Sequence, residues 1–336
     1  KYLLEKTRVV HQSAGERNYH IFYQLLRGGT KDLLSSLRLT NSVNDYKIVS
    51  CQQAQSTIPN VSDAEEFFLT CDCMHSIGID DALQYKVFSL LAGILHLGNL
   101  SFVDNHSDEK GNDLTPESQT VISNVAAMFG VSASDMVNSM TTQNMYVGET
   151  VITKFLTYAQ SNDRRDSFAK SIYSMVFNWL FERINFTIAA AKEDVRGVIG
   201  VLDIYGFENF STGNGFEQLL INYANEKLQS HFNKHIFCIE QQEYEAEGID
   251  WSYITFNDNQ PCVDLIDGKP HGKPGIMQTL DDAAANGRGD VNSAFLAQLN
   301  AQWSSSNNTA TQKHTNYVAA RFSSDTQFGI NHYAGV

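Results

Sequence analysis

The sequence predicts an α/β fold, mostly helical around part of a buried central sheet. Three observations predict it. An apolar run, Val198-Ile199-Gly200-Val201-Leu202, reads as a strand covered on both faces. It stops at Asp203, and Gly206 follows three positions on. From Asn214 the apolar residues Phe216, Leu220, Tyr223, Leu228, Phe232, Ile236 and Ile239 recur at helical spacing. Finally, the apolar stretch from Tyr85 to Leu97 reads as a core helix running into a strand near Val103.

In chain order, Tyr19, Phe22, Tyr23 and Leu26 share one helical face, and Gly28-Gly29 ends that helix. Ser62 with Glu65 or Glu66 opens another helix. Asp104 to Pro116, with Asp108-Glu109-Lys110, reads as a polar surface loop. Two short helices follow, Val121 to Phe129 and Ser132 to Met140, the second capped by Ser132. After Gly148-Glu149-Thr150 comes a long amphipathic helix with the stripe Phe168, Ile172, Met175, Val176, Trp179 and Ile184.

The helix after Asn214 is predicted to be capped by Asn214 and Glu217, at capping-box spacing. No proline interrupts it before Pro261, and Gly248 offers a stop. At ~1.5 Å per residue such a rod is about 45 Å long. Gly275 to roughly Leu299 reads as a helix-loop-helix around Asn286-Gly287-Arg288-Gly289-Asp290, and Ser304 to Thr311 as a low-complexity loop.

Ligands in open α/β sheets bind beyond the carboxyl ends of the strands. A carboxylate there, Asp203, can hold a metal-bound water, and Gly206 lets a bare backbone N–H approach a phosphate oxygen. Taken alone, the same pattern also fits a buried strand ending in an ordinary Asp turn.

Composition bounds the reading. The 336 residues suffice for two or three domain-sized units, and 42% hydrophobic content supports a large core. A net charge of −14 argues against nucleic acid or an anionic membrane surface as the main partner. Five cysteines, at 51, 71, 73, 238 and 262, form no metal-binding pattern and point to reduced thiols. No signal peptide is visible. Arg288-Gly289-Asp290 and the sequons at Asn99, Asn185 and Asn307 are chance matches, and His231 with His235 lacks the Glu of a zinc helix. The chain begins without Met and ends on apolar Val336, and so reads as an excerpt.

Val201-Leu202-Asp203-Ile204-Tyr205-Gly206-Phe207-Glu208-Asn209-Phe210 resembles switch II of the myosin motor domain. Asn222-Tyr223-Ala224-Asn225-Glu226-Lys227-Leu228-Gln229, running to Glu240-Gln241-Gln242-Glu243-Tyr244, resembles the myosin relay helix. Residues 11–26, 85–100, 257–266 and 321–336 are also similar to that family. Asp166-Ser167-Phe168-Ala169-Lys170 matches in part, and Gly268-Lys269-Pro270-His271-Gly272-Lys273-Pro274 carries extra residues.

The resemblance implies a fragment of a P-loop NTPase-like myosin head. It divides the chain into a helical upper subdomain with part of the central sheet (1–197), a core strand and switch II (198–210), a relay helix and actin-binding lower subdomain (211–320), and the start of a further core strand (321–336). It implies Mg2+ and ATP as ligands. Asp203 would hold Mg2+ through water, the Gly206 N–H would bond the γ-phosphate, and Glu208 would pair with a switch I arginine to close the site. Phe207 and Asn225 are the relay contacts, Asn225 gripping the switch by its side chain; a satisfied interior asparagine is the other reading.

Actin filaments are the implied partner, through Gly275, Arg288 and Thr150. Thr150 lies sixteen residues before Asp166, where the family has an acidic or phosphorylatable residue; an ordinary loop threonine fits as well. The acidic charge fits actin poorly, and the family's basic surface loop would lie beyond this chain. Light chains or calmodulin would sit on an absent neck. The location implied is cytoplasmic, on the actin cytoskeleton, without membrane insertion. No GxxxxGK[ST] occurs in the chain, and switch I would lie upstream of Lys1. The expected activity is therefore actin-activated ATP hydrolysis in the full-length protein, with the fragment alone inactive. The alternative is a myosin-like actin-binding scaffold without ATP turnover.

Overall fold

The computed structural model describes residues 4–13, 15–50, 57–104, 111–148, 150–210, 213–249, 257–286, 290–304, 314–319 and 326–336. The side chains of 146, 147, 238 and 286 are outside this description. The chain forms two compact units, Lys1–Gly200 and Val201–Val336.

The first unit is a helical body. It contains α1 (His20–Gly28), α2 (Lys31–Ser36), α3 (Asp63–Ser76), α4 (Asp81–Gly98), α5 (Ser118–Phe129), α6 (Ala133–Thr141) and α7 (Tyr158–Ile188). The predicted caps form: Ser62 Oγ accepts from Glu65 N–H, and Ser132 Oγ from Asp135 N–H. α4 is buried along most of its length, as its unbroken apolar run requires, and packs with Phe22, Phe67, Ile122 and Val125 in one core. α7 opens with a capping box between Thr157 and Gln160. Its predicted stripe is only half covered: Ile172 is buried, while Met175 and Trp179 are exposed.

Asp63, at the start of α3, is 6% exposed and is the centre of a buried charge cluster. Arg17 Nη2 donates to both of its carboxylate oxygens at 2.9 Å, and Arg27 donates to Oδ2. The Arg17 guanidinium also lies 3.9 Å from the Tyr23 ring centroid. Removing one partner of a buried pair leaves the other uncompensated. Asp63→Ala is therefore expected to destabilise this unit by about 3–5 kcal/mol, read as a shift in urea-unfolding midpoint with unchanged slope.

Three antiparallel strand pairs are present among the described residues: β1 (Phe102–Asp104) with β2 (Asn112–Leu114), β3 (Thr142–Val147) with β4 (Thr150–Phe155), and β5 (Tyr317–Val318) with β6 (Gly329–Ile330). Two departures from the sequence expectation follow. The stretch Asp104–Pro116 contains β2 and is more than a loop. The region around Thr150 is a hairpin, turned at Gly148 with φ +63°. β3 and β4 are joined by two residues, the first a glycine, and β4 carries the β-branched run Thr150-Val151-Ile152-Thr153, which together make a hairpin signal.

The larger correction concerns 198–204. This segment forms no strand, and Val198, Ile199, Val201 and Leu202 are 87%, 96%, 92% and 68% exposed. A strand exists only when neighbouring backbone satisfies its N–H and C=O groups. No described segment supplies that pairing. Among the described residues of 321–336, expected to start a further core strand, the two-residue β6 pairs with β5 and buries Ile330.

The second unit contains α8 (Phe216–Asn233), a π-helical segment (Lys234–Ile239) and α9 (Glu240–Ala246), which follow one another without a break in helical dihedrals. The predicted rod of roughly 45 Å is thus one element with a π turn inside it. Gly248, φ +69°, ends it: Ile249 N–H donates to Tyr244 C=O and Gly248 N–H to Glu245 C=O, a Schellman closure. At the other end the cap is displaced by one residue. Gln218 Oε1 accepts from Gly215 N–H at 2.9 Å, while Asn214 Oδ1 turns back to Phe210 N–H.

α10 (Gln260–Asp267), α11 (Ile276–Asn286) and α12 (Val291–Trp303) complete the unit around Leu265, Ile266, Ile276, Leu299 and Trp303. α11 and α12 form the predicted helix-loop-helix. Arg288, Asp108-Glu109-Lys110, Trp251, the loop 305–311 and Arg321-Phe322 lie outside the described residues. No single helix among the described residues is long and apolar enough to cross a membrane.

Candidate functional site

The residues predicted to sense a phosphate lie on one extended segment of the second unit. Asp203 is exposed, Ile204 half-buried, and Gly206 open enough that a Cβ there would meet nothing within 4 Å. Gly206 also has no positive φ, so neither packing nor backbone conformation among the described residues requires a glycine there.

The segment is moored to α8 by side chains that reach its backbone. Asn225 Nδ2 donates to Tyr205 C=O at 2.9 Å. Asn222 was not anticipated and does more. Its Oδ1 accepts from Glu208 N–H at 2.9 Å and its Nδ2 donates to Glu208 C=O at 2.8 Å. One amide thereby satisfies both backbone groups of Glu208, as a neighbouring strand would.

The Glu208 carboxylate takes a long 3.4 Å bond from Gln218 Nε2. Phe207 lies edge-on to His332, ring centroids 5.5 Å apart, and against Gly335. Asn209 Nδ2 reaches Val336 C=O at 2.8 Å. The signal for Asn222 was its place one turn before Glu226 on the same helix face, visible only once the loop's path is known.

Asn222→Ala removes both bonds at Glu208. At roughly 1 kcal/mol net for each, amide hydrogen exchange at Glu208 is expected to quicken by about tenfold or more, while exchange within α11 and α12 stays as in wild type.

Beneath the segment lies a charged centre the sequence did not disclose. Glu226, on α8, is fully buried. His332 Nδ1 meets its Oε2 at 2.8 Å, Tyr333 N–H donates to the same oxygen at 3.3 Å, and Asn259 Nδ2 donates to Oε1 at 2.6 Å. Burial opposes the charge on Glu226, but the hydrogen bonds from His332, Asn259 and Tyr333 outweigh it and hold the carboxyl below its usual range. Cys262 lies 3.7 Å from His332 Nδ1, and burial together with Glu226 pushes its thiol far up.

The remaining predicted residues separate. Thr150 is exposed at the start of β4 in the first unit. Gly275 is buried: a Cβ there would lie 2.9 Å from the carbonyl oxygens of Gly268 and Leu265. Its place in the fold is a close backbone crossing between α10 and α11.

The family model for the myosin head (motor domain) matches residues 1–336. Myosin-1 of Arabidopsis thaliana is 42% identical over 283 residues, covering 84% of this chain and 23% of that protein. Myosin-I heavy chain of Dictyostelium discoideum is 38% identical over 334 residues, covering 99% and 13%, and Myosin-2 of Saccharomyces cerevisiae is 38% identical over 338 residues, covering 99% and 20%. The chain thus spans less than a quarter of the length of each of these relatives. It belongs to the myosin head (motor domain) family.

Proposed function

We propose that this chain is the central part of an actin-based motor that couples Mg-ATP hydrolysis to force. In this reading 203–208 is the switch II phosphate sensor, Phe216–Ala246 the relay helix, and the helix-loop-helix of α11 and α12, with the β3–β4 hairpin bearing Thr150, part of the actin interface. The observation that carries the reading is the double grip of Asn222 and Asn225 on Glu208 and Tyr205. A loop held to a long helix by its backbone cannot move without loading that helix.

The exposed carboxylate of Asp203 and the open space around Gly206 fit a Mg-nucleotide. Asp203 would hold Mg2+ through water and the Gly206 N–H would meet the terminal phosphate, where the bound ion supplies neutralisation of phosphate charge. Glu208 would pair with an arginine from outside this chain, and its lightly engaged carboxylate leaves it able to do so. The exposed run 198–202 is what a central strand looks like without its neighbours, and in this reading the rest of the protein supplies them, along with the phosphate cradle. The π segment is where the helix can bend, since such turns interrupt the regular ladder.

A phosphate on Thr150 would add local negative charge to an exposed hairpin. In the full-length protein, neck-bound light chains or calmodulin would carry the swing outward, on the cytoplasmic actin cytoskeleton.

The test is Mg-ATP turnover by the full-length protein with and without actin filaments, beside the 336-residue chain alone. The motor reading expects filament-accelerated turnover in the former and none in the latter. Filament binding without turnover in the full-length protein would replace it with the scaffold reading.

A further inference from the structure

We propose that Glu226, Cys262 and His332 form a binding site for a thiophilic divalent cation of the Zn2+ type, a structural pin between α8, α10 and the C-terminal turn. Their donor atoms, a carboxylate oxygen, a thiol sulfur and an imidazole Nδ1, all lie within 4.8 Å of one another. Glu226 and Cys262 are 0% and 1% exposed, and the His332 side chain 5%.

Donors about 2.0–2.3 Å from a tetrahedral ion stand roughly 3.2–3.7 Å apart. Sγ to Nδ1 is 3.7 Å, already in that range, Nδ1 to Oε2 is 2.8 Å and opens by a few tenths of an ångström, and Sγ lies within 4.8 Å of the carboxylate oxygen. One carboxylate and one thiolate balance a dication. The Glu226 carboxylate beside the Cys262 sulfur attracts a cation to this point, and coordination then removes the thiol proton. On binding, the thiol proton leaves to solvent, and Nδ1 gives up the proton it directs at Glu226, so that His332 ligates through the Nδ1 lone pair with a proton on Nε2.

A second observation marks the spot. The three residues line a polar cavity of about 460 Å³, which Asn259 also lines. Asn259 is 8% exposed, and its Oδ1 is buried without a hydrogen-bond partner. Buried acceptors of this kind call for a donor. A water filling the fourth position of the ion from the cavity is such a donor. Asn259 Nδ2 meanwhile orients the Glu226 carboxylate, as a supporting residue does for a ligating side chain.

The intact protein, stripped with chelator and kept in excess Mg2+ to fill oxygen-only sites, is titrated with Co2+ and then Zn2+. One Co2+ is expected to bind with a thiolate charge-transfer band and the visible bands of tetrahedral cobalt, and Zn2+ is expected to displace it. Cys262→Ser, close in shape, is expected to remove the charge-transfer band and weaken binding by more than about tenfold. Absence of binding by the folded protein, or an unchanged spectrum in Cys262→Ser, would overturn the proposal and leave the three residues a proton-shared network. Should that variant fail to fold, anomalous scattering at the zinc edge from wild-type crystals decides. A peak between Sγ and Nδ1 supports the site, and a peak elsewhere or none refutes it.

Discussion

Glu208→Ala in the full-length protein is expected to lower ATP hydrolysis by at least about a hundredfold while leaving nucleotide binding intact. Phosphoryl transfer to water is driven by positioning and by fixed charge around the transferring group. A carboxylate that closes the site contributes in the transition state and little to the ground state, so its loss falls on turnover. The structure makes the variant a clean one. Glu208 is positioned through its backbone N–H and C=O by Asn222, and among the described residues its side chain takes a single 3.4 Å bond, from Gln218. Truncating the side chain therefore leaves the segment moored. Single-turnover kinetics with a fluorescent nucleotide separates the two effects. Normal hydrolysis in Glu208→Ala, or loss of binding together with hydrolysis, contradicts the assignment.

The second large effect is on stability. Glu226→Ala takes the acceptor away from His332, Asn259 Nδ2 and the Tyr333 N–H at once. Breaking a buried charged network from one side costs about 3–5 kcal/mol. The contribution of Glu226 also depends on pH with a definite sign. Its folded-state carboxyl is held below the usual range, so the unfolded chain binds more protons in the window just above the folded value. The stabilisation is fully present above the unfolded pKa of about 4.3 and is lost as pH falls through the depressed folded value. Chemical unfolding of the second unit from pH 7 downward is expected to show this loss in wild type and a flatter profile in Glu226→Ala. Equal stability of the two proteins at neutral pH would refute the role given to the pair.

Local signals in the sequence were legible wherever local physics decides. Ser62 and Ser132 cap helices because their hydroxyls accept from N–H groups three residues on. Gly248 ends the long helix because its φ of +69° suits a residue without a Cβ.

What failed was non-local. The run 198–204 has the composition of a buried strand, but composition does not provide the neighbours that make one. Glu226 looked like one charge among several on an amphipathic helix. Its partners stand 33 and 106 residues away in sequence, so nothing near it announced a buried anion. The π segment is likewise silent, since Lys234–Ile239 reads as ordinary helix by spacing. Gly275 was placed at a partner surface by resemblance, and its burial gives it a packing role instead.

In the motor reading the loop at 203–208 and the helix Phe216–Ala246 move as one, through Asn222 and Asn225. Hydrogen exchange across the helix, measured in the full-length protein with Mg-ADP and with a non-hydrolysable Mg-ATP analogue, tests it most directly. The analogue is expected to change protection on both sides of the π segment in wild type, and Asn222→Ala with Asn225→Ala is expected to confine the change to 203–208. An identical response along the helix in the double variant would contradict it.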